Sequence, residues 1–148
     1  MELVDHSFRI FGKQGDVLLV YYSPAKASET PDNLLTYKAH FDRLKGRKWI
    51  WIVDFANMKS SDYISFSLMK KLIALLQEEH STTLLSIIAV HPNTWLRTVV
   101  STIGQFLPKS LYDKVEVLEQ ADIGLLLGLG NIGIEHRWVQ WLADEFAK

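Results

Sequence analysis

A chain of 148 residues, 48% hydrophobic and 22% charged, suits a single globular domain that buries its large apolar side chains without metals or crosslinks. Its formal net charge of −1 gives no general attraction for phosphate backbones or anionic membranes, which argues against nucleic acid as a partner. The absence of cysteine excludes disulfides, thiolate catalysis and cysteine-ligated metals.

Residues 8–11 and 17–22 are short β-type runs, separated by Gly12, Lys13, Gln14 and Gly15, a glycine-bracketed turn that suits a hairpin. Residues 23–31 are polar, hold two prolines and are expected as a loop. From 32 to about 44, Leu34, Tyr37, Phe41 and Leu44 keep helical spacing. Residues 49–53 are continuously apolar, as in a strand covered on both faces. A second helix is expected over about 62–79, with Phe66, Met69, Leu72, Ile73 and Leu76 inward and Ser60 or Ser61 as its N-cap.

Residues 84–90 form another buried-type strand, which His91 and Pro92 break. Asn93 is placed to cap a third helix carrying Trp95, Leu96, Val99, Val100, Ile103 and Phe106, and Pro108 ends it. Residues 115–118 make a last short strand, and 121–148 are expected as one or two helices around a glycine-rich break at 128–133. Strands alternating with helices predict an α/β domain over residues 1–148. Its sheet is mainly parallel with an antiparallel edge from the opening hairpin, and its helices cover the faces. The first six residues lack the basic start and apolar core of a signal peptide, and no run approaches the roughly 18 apolar residues of a membrane span. A cytoplasmic protein is expected.

Few patterns in the chain carry chemistry. Gly128, Gly130 and Gly133 complete a G-x-G-x-x-G, but outside a first βαβ unit and with no strand after it ending in an acidic residue. A helix-to-helix connection is the reading. His6, His40, His80, His91 and His136 form no pair at metal-ligand spacing, so no metal is expected. Asp54 and His91 both fall at ends of predicted parallel strands, where α/β domains place ligands. No nucleophile elbow accompanies them, and Asp54 is expected to anchor the turn that follows it. Arg43, Lys45, Arg47 and Lys48 cluster before the Trp49 strand, as a solvated loop or as contacts for phospholipid headgroups. The outer face of the third helix bears Arg97, Thr98, Ser101, Thr102 and Gln105, with one formal charge over three turns. Two readings fit it: a helix that moves off the sheet to open a pocket or meet a membrane, or one packed beside another chain or the C-terminal segment.

The segments 51–55, 87–99 and 106–118, in that order and spacing, resemble the CRAL-TRIO lipid-binding domain, most closely its divergent branch with the BCH scaffold domains of Rho GTPase regulators. The resemblance implies that the third helix, residues 95–107, is a gate over a hydrophobic pocket on the sheet. Trp95, Val99, Val100, Ile103 and Phe106 would then be its pocket or gate residues. The element order is also similar to that of STAS domains, in which a phosphorylatable serine sits where Ser60 and Ser61 lie here.

Two functions follow as expectations, both without catalysis or cofactor. The first is a binder of a lipid or other apolar small molecule, peripheral at most to a membrane. The second is a protein-interaction module or homodimer with a filled interior and an exposed patch of Trp138, Trp141 and Phe146.

Overall fold

The computed structural model describes residues 8–26, 34–104, 107–118 and 134–147. The first two strands, β1 (Phe8–Gln14) and β2 (Val17–Tyr22), pair antiparallel. The turn between them is shorter than the glycine bracket suggests: β1 runs on to Gln14, and Gly15 alone takes the left-handed φ of 64° that the reversal needs. A register shift between Ile10 and Gly12 marks a bulge at Phe11. Gly12 lies flat against the Trp138 indole, where a Cβ would stand 2.6 Å from the ring.

Strands β3 (Lys48–Asp54), β4 (Leu84–Val90) and β5 (Val115–Leu118) then add in parallel, giving the order β1-β2-β3-β4-β5. The expected mixed α/β sheet with an antiparallel edge is the observed one. Its order has a consequence for the helices. Parallel strands that advance in one direction through right-handed crossovers place every crossover on the same face.

That face holds α1 (Leu34–Asp42), α2 (Phe66–Glu79), α3 (Thr94–Ile103) and the short α4 (Lys109–Tyr112). Period-two alternation turns Leu18, Val20 and Tyr22 of β2 and Trp49, Trp51 and Val53 of β3 toward them. The intervening Leu19, Tyr21, Ile50 and Ile52 face the other way, onto Val139 and Leu142 of α5 (His136–Phe146) and onto Ile134.

Several sequence expectations need correction. Neither Ser60 nor Ser61 caps α2. They belong to a separate 3-10 turn, Ser60–Asp62, closed by Asp62, whose carboxylate accepts from the Lys59 amide at 2.9 Å. Ser65 is the cap, its hydroxyl accepting from the Leu68 amide at 3.1 Å, so α2 starts at Phe66. Phe66 is therefore a first-turn residue and is exposed under the Lys70 cation, while Leu68, Leu72 and Leu76 form the buried stripe. Asn93 caps α3 as expected, by accepting from the Leu96 amide at 2.8 Å. That helix ends at Gly104 rather than running to Pro108. The glycine-rich stretch 128–133 lies outside the described residues.

At the N-terminal end of β3 the Trp49 indole donates to Nδ1 of His80, the C-cap of α2, at 3.3 Å. This bond requires the neutral tautomer with its proton on Nε2. His80 is wholly buried, and that burial lowers its pKa below the ordinary value. The folded state thus favours neutral His80. The stability it contributes is complete above the unfolded pKa of about 6.5 and is lost as pH falls through the lower folded value. Urea unfolding from neutral to mildly acidic pH should show this decline, and His80→Gln should reduce its slope. An unchanged slope would assign the decline to other groups.

Candidate functional site

Between the first face of the sheet and helices α2, α3 and α4 lies a cavity of about 210 Å³. Tyr22, Trp51 and Val53 form its floor, Leu72 and Leu76 of α2 one wall, and Trp95, Val99 and Val100 of α3 its cover. Each is there for a local reason. The strand residues share one pleat face, the α2 leucines share one helical stripe, and the Asn93 cap fixes where α3 begins and hence which of its residues look inward.

The surface facing the cavity is almost wholly apolar; the polar side chains among its lining residues are tyrosines, Trp51, Trp95 and Asp62. Tyr22 and Tyr37 hydrogen-bond to one another through their hydroxyls. Trp51 is buried, packed against Phe8, Tyr22, Phe41 and Trp49, and among the described residues its Nε1 has no hydrogen-bond partner.

The cover is lightly attached. Among the described side chains of α3, only Leu96 is buried; Trp95 and Val99 are half-buried and Val100 is exposed. Trp95 stacks on the exposed Tyr63 ring at 5.2 Å, a contact on the rim of the site.

Of the sequence-predicted pocket residues, the structure brings Trp95, Val99 and Val100 together at the cavity. The Ile103 side chain and Phe106 lie outside the described residues. Arg43, Lys45 and Arg47 on the loop between α1 and β3, and Lys48 at the start of β3, are all exposed and do not line the cavity. Two of them are engaged elsewhere, Lys45 with Glu79 at 3.6 Å and Lys48 with Asp16 at 3.3 Å. Ser60 and Ser61 are exposed in the turn beside Asp62. A larger depression of about 420 Å³ follows the solvent side of α2, between Phe66, Lys70, Ala74, Gln77 and Pro108. Its exposed walls give an occupant far less burial than the space beneath α3.

Sequence reasoning missed Asp62, Trp51 and the tyrosine pair as lining residues. The period-two alternation through β2 and β3 carries part of that signal, since it places Tyr22, Trp51 and Val53 on one face.

The other face presents a polar cluster at the C-terminal ends of the strands. Asp54 is buried; its carboxylate accepts from the Tyr21 hydroxyl at 2.7 Å and the Ala56 amide at 3.0 Å, and meets His91 Nδ1 at 2.7 Å. Burial first, and then the bond to Asp54, raise the Tyr21 phenol well above its ordinary pKa. Lys26 bridges Tyr21 at 3.4 Å to the buried Glu145 of α5 at 3.1 Å, and Arg9 also pairs with Glu145. The expected turn-anchoring role of Asp54 is present in its bond to Ala56. The cluster ties the strand ends to α5, and the His91 ring lies edge-on to Phe146.

Trp138, Trp141 and Phe146, expected as an exposed patch, are half-buried on the second face, with Trp141 stacked on Phe11 at 4.5 Å. The described part of the C-terminal segment therefore packs on the face opposite α3. Among the described residues no helix is long and apolar enough to cross a membrane, and no group of His, Asp and Glu could hold a metal ion.

A mixed sheet in sequential order, with its crossover helices on one face and an apolar cavity beneath them, is an α/β architecture of CRAL-TRIO-like fold. The chain belongs to the divergent CRAL/TRIO domain family, whose family model matches residues 17–122. This decides between the two resemblances seen in the sequence. No curated protein matches the chain.

Proposed function

We propose that the chain is a non-enzymatic, cytoplasmic binding domain that holds a lipid or other small apolar molecule between the sheet and α3. The observation that carries this reading is the apolar cavity covered by Trp95 and Val99, on a helix with a single buried side chain among those described. At about 210 Å³ the space lies below the ~300–1,000 Å³ of common small-molecule sites. Its occupant is accordingly small, or α3 moves outward to admit a larger one, and the light attachment of α3 suits the second case. Membership of the CRAL/TRIO family supports the same class of ligand. The packing of Trp138, Trp141 and Phe146 against the second face leaves less apolar surface for the alternative, a protein-interaction module.

Mass spectrometry of the gently purified protein, native and then after organic extraction, should find a stoichiometric apolar molecule. Val99→Asp places a carboxylate against the cavity and should weaken ligand retention by about tenfold or more, because an unpaired charge resists removal from water. Full retention by a variant whose circular dichroism is unchanged would sink the gate assignment.

A further inference from the structure

The two hollows beside α2 share a wall, and together they fix how a ligand lies, an inference that rests on the proposed ligand-binding reading. Ile73 lines both the cavity beneath α3 and the depression on the solvent side of α2. Two consecutive residues divide in the same way: Leu107 lines the cavity and Pro108 the depression. Among the described residues, the partition between the spaces is therefore the half-buried Ile73 side chain and the segment 107–108 that leads into α4.

The spaces differ in chemistry. The cavity surface is almost wholly apolar, and no lysine, arginine or histidine is among its described lining residues. Its one carboxylate, Asp62, already accepts from the Lys59 amide. A polar group drawn inside would lose its hydration with little to replace it. The depression, by contrast, carries Lys70, Gln77 and Glu78 beside the apolar Phe66, Ala74 and Pro108. Lys70 and Gln77 flank Ile73 on its own helical face, three residues before it and four after. The Gln77 side-chain oxygen accepts from the Ser110 hydroxyl at 3.2 Å, which ties α2 to α4 beside the partition.

Size adds a second constraint. The cavity, at about 210 Å³, is small for a ligand site, whereas the depression offers about 420 Å³ open to water. A chain too long for the cavity gains room by crossing the partition, with α3 in place.

We propose that the ligand is a single-chain amphiphile that crosses here: its hydrocarbon chain fills the cavity and its one polar end rests in the depression, between Lys70 and Gln77. Ile73 is then a ligand-binding residue, touching the chain where it passes from one space to the other. Long-chain alcohols and fatty acids belong to this class. A lipid with its head group beneath α3 does not.

Decanoic acid joined through its carboxyl group to a nitroxide amide reports where the polar end lies. In the complex with the unaltered protein, the nitroxide should broaden the backbone amide resonances of residues 73–78 more strongly than those of 93–96, at the opposite end of the cavity. Affinities of decanol, 1,10-decanediol and hexane are read by displacement of an uncharged environment-sensitive dye. The diol must place its second hydroxyl in the apolar cavity and should bind about tenfold more weakly than decanol. Ile73→Trp fills the crossing and should weaken decanol about tenfold, while hexane, short enough for the cavity alone, stays within about twofold.

Broadening at 93–96 as strong as at 73–78, or a decanol affinity that Ile73→Trp leaves unchanged or lowers no more than that of hexane, would overturn the crossing while leaving the cavity as a binding site. Diol binding as tight as that of decanol would overturn the single polar end. Failure of decanol, hexane and the nitroxide amide to bind would remove the ligand-binding reading itself. If Ile73→Trp does not fold, the broadening pattern of the unaltered protein decides alone.

Discussion

Asp54→Ala is expected to destabilise the protein by more than about 2 kcal/mol, since it leaves several hydrogen-bonding groups without their acceptor at about 1–3 kcal/mol for each buried one. The carboxylate is 3% exposed and serves three groups at once: the Tyr21 hydroxyl, the Ala56 amide and the His91 ring. Its loss strands the Tyr21 phenol, which is wholly buried, and frees the amide that starts the turn after β3. His91, which sits at a φ of 53°, loses the carboxylate that fixes its ring. The effect should spread to α5, through Lys26 and Glu145 and through the contact of His91 with Phe146. Asp54→Asn keeps one acceptor oxygen and should cost clearly less. Urea denaturation of both variants checks this, and a loss below about 1 kcal/mol for the alanine variant would mean that water substitutes for the carboxylate.

The second large effect is expected at the opposite end of β3. Trp49→Ala should cost about 3–5 kcal/mol, as truncation of a buried tryptophan does when the walls around it do not collapse. Trp49 is fully buried, packed against Phe41 at 6.1 Å, Trp51 at 5.6 Å and His80 at 5.5 Å. These neighbours sit on three separate elements, α1, β3 and the end of α2, so no single shift closes the hole. Trp49→Phe separates packing from hydrogen bonding. It fills much of the volume but leaves His80 Nδ1 without its donor, for a loss of about 1–3 kcal/mol. Equal losses for the two variants would show that the hydrogen bond, rather than the ring volume, dominates.

The two sites stabilise the same strand from opposite ends. Trp49 and Asp54 lock the two ends of β3, each with a buried ring or carboxylate bonded across elements. On α3 the hydroxyls of Thr98 and Ser101 bond back to the helix's own carbonyls, and Trp95 packs on Phe55 and Tyr63.

The alternation of short apolar runs with helical stripes was enough to determine the α/β class, the hairpin edge and the strands themselves, because burial on both faces leaves continuous apolar runs such as residues 49–53. The order and spacing of three short segments pointed to the family, and with it to Trp95, Val99 and Val100 as residues of one site. Local chemistry placed the Asn93 cap correctly and misplaced the cap of α2. Ser60, Ser61 and Ser65 are the same residue type, and only the turn closed by Asp62 shows which of them meets free amides.

What the tertiary structure alone decided concerns relations between distant segments. That α5 lies on the face opposite α3 follows from strand order and crossover hand, which no local window encodes, and it turned Trp138, Trp141 and Phe146 inward. The empty volume beneath α3 and the unpaired Trp51 donor are properties of what fails to touch what. Side-chain periodicity tells which way a residue faces, but an unfilled space and an unmet hydrogen bond exist only once all the neighbours have taken their places.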